Sequence, residues 1–599
     1  MNGVNDFAFK IGTVNGTGSA SANGLLMRAI FRMGIPVSGK NLFPSNIQGL
    51  PTWYEIRVSK DGYTARPAEL DLVVALNPAT YAQDLAAVRA GGFLLYDSSW
   101  PLPRELARDG ITILGVPFGR LCVEAFEGDR ERTLLRNIAY TGALAALLAI
   151  DMDVIDQLLE ETYGKKPKLL EANHRAIRLG YDYVATSIPC PLPFHLERMD
   201  ATADSILIDG NTAAALGAVY AGATVGAWYP ITPATSLMEA FKAFCEKFRV
   251  DPETGERRYA ILQAEDELAA AGITIGAGWA GARAFTNTSG PGLSLMQEFL
   301  GLAYYTDIPA VFFDIQRCGP STGMPTRTQQ ADILSMAYAS HGDTKHPILF
   351  PADPGEAFEM AVQAFDLADR LQTPIFVATD LDIGMNDWMV KRLAWDDSYR
   401  PDRGKVLDAE ALASLKRFSR YLDVDGDGIA ARTLPGVGGK GAYFVRGSGH
   451  DKHANYTEDS DAYKELVDRL RRKFAHAARL VPGPVFTRQP GADVGLVTLG
   501  GCDAAVREAA DLLRDQEILV DAMRIRAFPF ADEVKEFIES YDQVFVIEQN
   551  RDGQLRALLT LELGIPRDDL TPILDYGGLP LSARTVVEAV TGAVARVPA

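Results

Sequence analysis

The sequence is short of cysteine. Five cysteines occur in 599 residues, at Cys122, Cys190, Cys245, Cys318 and Cys502, and no two form a C-x-x-C pair. That spacing argues against an iron–sulfur cluster or a structural zinc on this chain, so no metal site is expected. If the chain serves a redox enzyme, its electron carriers belong to another chain. An odd number of scattered thiols fits a reducing compartment, and a cytoplasmic location is expected. Long apolar runs are also missing: no stretch approaches the roughly 20 uninterrupted apolar residues of a membrane span. Residues Met1 to Asp6 carry no basic segment leading into an apolar core, so no secretory signal is expected. Positive charge is in deficit, with 59 Lys and Arg against 78 Asp and Glu, a net charge of −19. Nucleic acid and anionic membranes both reward a positive surface and are disfavoured as partners. What the chain has in quantity is apolar side chain, 47% of residues, enough for large cores across roughly four domains of ordinary size.

Residues 1–195 read as one α/β domain. Phe7 to Ile11 form a strand leading into Gly12, Gly16 and Gly18, and a helix follows with Leu25, Leu26, Ala29 and Ile30 on its buried face. Strands at 72–76, 93–96 and 111–114, separated by helical segments, predict a parallel sheet. A second α/β domain spans 205–395, with a small-residue helix from Ala213 to Ala223, buried strands at 311–313 and 374–377, and an amphipathic helix from Pro354. Residues 396–489 lose periodicity and gain proline, glycine and charge. They read as a long, mostly irregular connector ending in a basic helix, Ala462 to Leu480. Residues 490–599 are again α/β, with strands at 494–499, 519–523 and 543–548.

Six runs are candidates for chemistry. In Tyr229-Pro230-Ile231-Thr232-Pro233-Ala234-Thr235-Ser236, two prolines stiffen a turn around Thr232. Ser236 to Glu239 then reads as a capping box, with Leu237, Phe241, Phe244 and Phe248 as the buried stripe of the helix. Glu265-Asp266-Glu267 opens an alanine- and glycine-rich helix. Acids there complement the helix dipole, but Glu267 abuts the most apolar part and is the candidate for a buried general acid–base. Thr286 to Gly292 is a polar turn whose hydroxyls read mostly as helix caps. Asp314 to Thr326 follows a buried strand, where ligands bind in open α/β sheets. Arg317 there offers a planar fork to a carboxylate, or is a surface arginine in a glycine-rich loop. Gly16-Thr17-Gly18-Ser19 lies between strand and helix. The acidic residue of a dinucleotide site about 20 positions on is absent, the next carboxylate being Glu55. The loop is either a phosphate-binding turn or a tight turn without a ligand. Gly426-Asp427-Gly428, with Asn455 downstream, superficially matches a magnesium–diphosphate signature. No apolar strand precedes the asparagine, and a solvated acidic turn is the better reading.

Taken together, Tyr229 to Ser236, Glu265 to Glu267, Thr288 to Gly292 and Arg317 to Thr326 resemble, in order and spacing, the α subunit of the 2-oxoacid:ferredoxin oxidoreductases. The first 195 residues are similar to that family's γ domain fused ahead of the α domain, as in 2-oxoglutarate:ferredoxin oxidoreductase α subunits. Val544 to Asn550, a strand ending in E-x-N, also looks like the family's. The resemblance implies three α/β domains: a Rossmann-like γ-type domain, a thiamine-enzyme pyrimidine-binding domain and a transketolase-C-like domain. It implies that Glu267 holds the aminopyrimidine of thiamine diphosphate, that Thr232 contacts substrate, and that Arg317 grips the 2-oxo acid carboxylate with help from Thr326. Magnesium, the diphosphate and a [4Fe-4S] cluster would be held by a β subunit. The whole would be an (αβ)2 heterotetramer reducing ferredoxin, with coenzyme A as co-substrate and Gly16 and Gly18 as cofactor-loop residues. The implied reaction converts 2-oxoglutarate to succinyl-CoA. Pyruvate, branched-chain or aryl 2-oxo acids are alternative substrates, and a non-catalytic coenzyme A-binding or scaffold subunit is an alternative of another class.

Overall fold

Phe7, Phe9 and Ile11 point to one side of the strand Asp6–Val14 and Ala8 to the other, and each side is covered by its own apolar cluster. The computed structural model of the chain describes residues 3–45, 49–103 and 108–594. Two compact units result. The first runs up to Ile208 and takes in Asn386–Arg392 and Ser582–Arg584; the second holds Asp209–Met385, Leu393–Leu581 and the residues from Thr585 on.

The first unit is built on a six-stranded sheet, ordered Val37–Leu42, Pro51–Ser59, Asp6–Val14, Leu70–Ala75, Val88–Asp97, Thr112–Val116. The predicted parallel sheet holds for the last four strands only. Val37–Leu42 and Pro51–Ser59 run antiparallel and were not expected. Their polar residues disguise them. Lys40 is buried with its ammonium 3.7 Å from the centre of the Trp388 ring. Glu55 is buried against Arg66, at 2.8 Å, and Lys10, at 3.6 Å.

The second unit carries a seven-stranded sheet, ordered Ala260–Gln263, Val225–Trp228, Ala284–Thr288, Ala310–Gln316, Pro374–Asp380, Ile348–Leu349, Ala527–Phe528. All neighbours are parallel except the last pair. Every residue of Ala310–Gln316 and Pro374–Asp380 is buried, as in central strands covered on both faces. A five-stranded sheet of the C-terminal residues shares one apolar core with this sheet, through Phe312, Phe376, Val497 and Val546 among others.

Two helix-level expectations are corrected. Ser236 is not the N-cap. The helix Thr235–Phe248 is preceded by Ala234 with no side-chain cap, and the Ser236 hydroxyl accepts a hydrogen bond from Asn211 Nδ2 at 2.8 Å. The buried stripe runs Leu237, Met238, Phe241, Cys245, while Phe248 is exposed. Phe244 is partly buried against the same core, so the expected face holds through Phe244 and fails only at Phe248.

Residues 396–489 are largely irregular, with helices at Ala409–Ser414 and Ser460–Ala477. They belong to the second unit and are fastened to it by buried charge. Asp307 sits at 2.5 Å from Lys473 Nζ and 2.8 Å from Arg469 Nη2, and its carbonyl accepts from Arg420 Nη2 at 2.7 Å. Burial alone would raise the Asp307 carboxyl; Arg469, Lys473 and Arg420 outweigh it and hold it down at about 2. Burial draws Lys473 the other way, down to about 8.

Removing the charge of Asp307 leaves three buried cations without a counter-charge. Asp307→Asn is expected to cost about 3–5 kcal/mol, read as a lower urea midpoint. The pH dependence has a definite sign. An unfolded aspartate titrates near about 3.9, so the carboxylate's contribution is complete above that pH and lost as pH falls through about 2. The Asn variant lacks that acid-dependent loss, so the stability gap between the two proteins narrows in acid.

Candidate functional site

Four adjacent parallel strands of the second unit end on the same side of the sheet. Gln263 leads to Glu267, Trp228 to Thr232, Thr288 to Ser289 and Gln316 to Arg317. Loops at the carboxyl edge of an open sheet are where a ligand meets free backbone and side-chain groups. The fold therefore gathers candidates that lie up to 85 positions apart in sequence.

Arg317 is the centre of the cluster. It is buried, and its Nη1 donates to the Thr232 carbonyl oxygen at 2.6 Å. Among the described residues its Nε has no acceptor. Burial pulls the guanidinium below its ordinary value, and the charges of Asp332 and Glu267 pull it back. Thr232 is half-buried, and Asn211 Nδ2 donates to the next carbonyl, that of Pro233, at 2.8 Å. Asn287 Nδ2 donates to the Ala234 carbonyl at 2.6 Å, tying the 229–236 turn to the neighbouring strand end.

Glu267 is the first residue of the helix Glu267–Trp279. Asp266, not Glu267, is the cap: its carboxylate accepts from the Ala269 amide at 2.7 Å. Glu265 is exposed and Glu267 buried. Among the described residues no group hydrogen-bonds the Glu267 carboxyl. The helix start that follows Ser289 packs directly on Glu267, because a Cβ on Gly292 would lie 2.6 Å from Glu267 Cγ and 2.0 Å from Thr288 Oγ1. The expected caps in this turn are absent: Ser289 precedes the helix without a side-chain cap bond. The Thr286 and Ser289 hydroxyls and Asn287 Oδ1 are buried without a partner among the described residues. Buried polar atoms are normally satisfied, so this group points to a ligand with several polar atoms. A buried carboxylate with no protein donor and a row of orphaned hydroxyls fit the aminopyrimidine side of thiamine diphosphate.

Beside Arg317 opens a cavity of about 860 Å³, lined by Gly290, Arg317, Met324, Asp332, Asn550 and Tyr576 among others. Thr326 is buried, and its carbonyl and hydroxyl both accept from Arg327 Nη1, at 2.8 and 3.3 Å. Gly16 and Gly18 lie in the first unit at φ 84° and 86°, left-handed conformations that favour glycine. Their loop is held by the Thr17 hydroxyl, which donates to the Val14 carbonyl at 2.6 Å, and by Asn137 of the helix Asp129–Leu148, whose Nδ2 donates to the Thr17 carbonyl at 2.6 Å.

The C-terminal residues contribute scaffolding that sequence reasoning did not interpret. Asn550 Oδ1 accepts from the amides of Gly553 and Gln554, and Glu548 from those of Leu555 and Arg556, so E-x-N caps the helix Gln554–Leu563. Asn550 Nδ2 also holds the Gln330 carbonyl at 2.9 Å, and Gln330 Nε2 donates to that of Leu499 at 3.1 Å. The loop carrying Arg317 is thereby clamped at its far end. Asp332 was missed as well; its only sequence signal is an acid placed soon after an arginine loop. The acidic turn Asp423, Asp425, Asp427 brings three carboxylates together. Lys405 Nζ bonds two of them, at 2.6 and 2.8 Å, which supplies the counter-charge from within the chain.

A methyl group at Gly292 would collide with Thr288 and Glu267, whereas one at Gly276, on the same helix as Glu267, meets nothing within 4 Å. Gly292→Ala is expected to lower stability by about 1–3 kcal/mol and to displace Glu267, and Gly276→Ala to be neutral or slightly stabilising. Thermal unfolding of the two variants checks this.

Comparison with known proteins follows the same lines. The family described as pyruvate flavodoxin/ferredoxin oxidoreductase, thiamine diphosphate-binding, matches residues 216–398, and that described as pyruvate ferredoxin/flavodoxin oxidoreductase matches residues 8–183. The chain is 30% identical over 640 residues to 2-oxoacid:ferredoxin oxidoreductase 2, subunit alpha, of Aeropyrum pernix, covering 98% of this chain and 97% of that one. It is 27% identical over 531 residues to the 2-oxoglutarate oxidoreductase subunit KorA of Mycobacterium tuberculosis, covering 82% and 76%. Among solved structures, 2-oxoglutarate:ferredoxin oxidoreductase from Magnetococcus marinus, with 2-oxoglutarate, coenzyme A and succinyl-CoA bound, superposes with a TM-score of 0.89. It is 26% identical, over 98% of this chain and 99% of that one.

Proposed function

This chain belongs to the α subunits of the 2-oxoacid:ferredoxin oxidoreductases, a thiamine diphosphate-dependent enzyme class, and from that premise we propose that it forms half of an active site for the oxidative decarboxylation of 2-oxoglutarate to succinyl-CoA. The observation that carries the reading is the meeting of Thr232, Glu267 and Arg317 at the ends of adjacent strands, with Arg317 bonded to the Thr232 carbonyl. The relatives named for 2-oxoglutarate support the choice of substrate.

In this reading each side chain has one task. Arg317 keeps Nη1 on Thr232 and offers its remaining terminal N–H groups to the carboxylate of the 2-oxo acid. The Thr232 hydroxyl has no partner among the described residues and is free to meet substrate. Thr326, buried later in the same loop, is assigned to the same carboxylate. Glu267 holds the proton shared with a ring nitrogen of the aminopyrimidine, and the surrounding burial keeps water from competing for it. When bound, thiamine diphosphate supplies the electron sink for loss of CO2; the protein supplies orientation and electrostatics.

The other half of the site belongs to a β subunit that holds the diphosphate, magnesium and a [4Fe-4S] cluster and passes electrons to ferredoxin, in an (αβ)2 assembly. Exposed apolar side chains support this. Tyr229 precedes Thr232, Leu262 lies on the edge strand before Glu267, and Leu268 follows Glu267, and each is exposed. Coenzyme A is assigned to the first unit, with Gly16 and Gly18 as the candidate contacts. No helix among the described residues is long and apolar enough to cross a membrane, and five unpaired cysteines suit the cytoplasm.

In the reconstituted α–β complex, Glu267→Gln is expected to lower CoA-dependent turnover by about a hundredfold or more while the subunits still associate. Wild-type-like turnover would contradict the role of Glu267. Dye reduction measured across 2-oxoglutarate, pyruvate, branched-chain and aryl 2-oxo acids is expected to favour 2-oxoglutarate. A strong preference for pyruvate would reassign the substrate, and thiamine diphosphate binding without reduction by any 2-oxo acid would favour a non-catalytic subunit.

A further inference from the structure

Two carboxyl groups behind Arg317 have no task in this reaction. Asp314 lies on the central strand Ala310–Gln316 and is fully buried. Asp332 lines the cavity that Arg317 enters. Its backbone amide donates to Gln316 Oε1 at 3.0 Å, and Gln316 Nε2 donates to the Thr379 carbonyl at 3.1 Å, so the residue is pinned to the sheet. Its carboxyl lies against Gly290, where a Cβ would come within 2.6 and 2.7 Å of the two oxygens. Among the described residues, nothing donates to either oxygen of Asp314 or to Asp332 Oδ2, all of them shielded from solvent, and no basic side chain forms an ion pair with either residue. Asp314 lies two residues before Gln316, on the same face of the strand, so the Gln316 side chain that holds the Asp332 amide also places the two carboxyls close enough to interact directly.

Two carboxyls in that arrangement cannot both ionise, and a shared proton is the ordinary resolution. Burial, then the neighbouring charge of Asp332, push Asp314 far above the usual carboxylate range. Burial raises Asp332 too, while Arg317 and the hydrogen bond from Asp314 oppose the rise. The charged and titratable groups around the pair are Arg317, Glu267 beyond it, and at the cavity wall Tyr576 and the mutually paired Arg551 and Asp552.

We propose that Asp314 and Asp332 form a one-proton carboxyl pair that positions Arg317 and takes up a second proton when a 2-oxo acid carboxylate docks on that arginine. The inference rests on the proposed substrate role of Arg317. With one proton, the pair presents one negative charge to the guanidinium. A docking carboxylate brings a second negative charge beside Asp332, and a proton entering through the cavity relieves the repulsion. Substrate affinity is then linked to pH: above the pH at which the free pair loses its second proton, it falls by about tenfold per pH unit.

The two halves of the pair give variants of opposite sign. Asp332→Asn removes the charge, so carboxylate binding holds at the tight, low-pH limit of the wild type and is flat with pH. Asp314→Asn donates an N–H to Asp332 and keeps it ionised, so binding holds at the weak, high-pH limit and is again flat. A purely structural role weakens binding in both variants alike. The test uses the α–β complex and the inhibition constant of glutarate, which has the carboxylates of 2-oxoglutarate but no keto carbon to react, from about pH 5.5 to 8.5. It is paired with infrared difference spectra of the ligand-free complex. A protonated-carboxyl C=O band that Asp314→Asn abolishes and Asp332→Asn retains, with the two opposite flat pH profiles, is the expected result. No such band, or variants that both bind weakly and keep the wild-type slope, overturns the proposal. An intact band in a complex that binds neither glutarate nor any 2-oxo acid overturns the substrate reading of Arg317, and the coupling with it.

Discussion

The hydrogen bond from Arg317 Nη1 to the Thr232 carbonyl joins two loops that leave different strands of one parallel sheet. It fixes how far the guanidinium can reach and which of its N–H groups remain free. The arrangement at the carboxyl edge is organised around it: Glu267 on one side, Asp332 on the other, and the cavity in front. A buried guanidinium needs compensating charge; Asp332 supplies it from the far end of the same connection and Glu267 from the start of a neighbouring helix.

That geometry depends on parts of the chain remote in sequence. The loop after Arg317 is held by Gln330, which exchanges hydrogen bonds with Gln549 and Asn550 of the C-terminal residues. The E-x-N ending of the strand Gln543–Glu548 is thus a cap and a clamp together. The irregular residues 396–489 are fastened through Asp307, Arg420, Arg469 and Lys473, so their lack of regular elements does not make them a loose linker. Buried ion pairs of this kind add little stability against an apolar alternative but are costly to break.

Much of this was legible in the sequence, and the failures have physical causes. Central strands such as Ala310–Gln316 announce themselves by continuous apolar runs, and the loop residues that follow them stand out by proline, glycine and charge. Val37–Leu42 and Pro51–Ser59 were invisible because Lys40 and Glu55 are buried through partners contributed by distant residues, Trp388 for one and Arg66 for the other. Ser236 was misread as a cap because its actual donor, Asn211, is 25 positions away. The Thr286 to Ser289 hydroxyls were read as caps because local sequence cannot distinguish a satisfied hydroxyl from an orphaned one. Asp314 and Asp332 have meaning only as a pair, and their pairing is tertiary.

The central claim is that Thr232, Glu267 and Arg317 are one half of a site completed by another chain. The most direct measurement is a structure of the α–β complex with thiamine diphosphate and the preferred 2-oxo acid, trapped without coenzyme A. The account predicts the substrate carboxylate on the free N–H groups of Arg317, the Glu267 carboxyl on the aminopyrimidine nitrogen, and the diphosphate on the partner chain. A cofactor bound wholly within the partner, with Glu267 and Arg317 touching neither cofactor nor substrate, would contradict it.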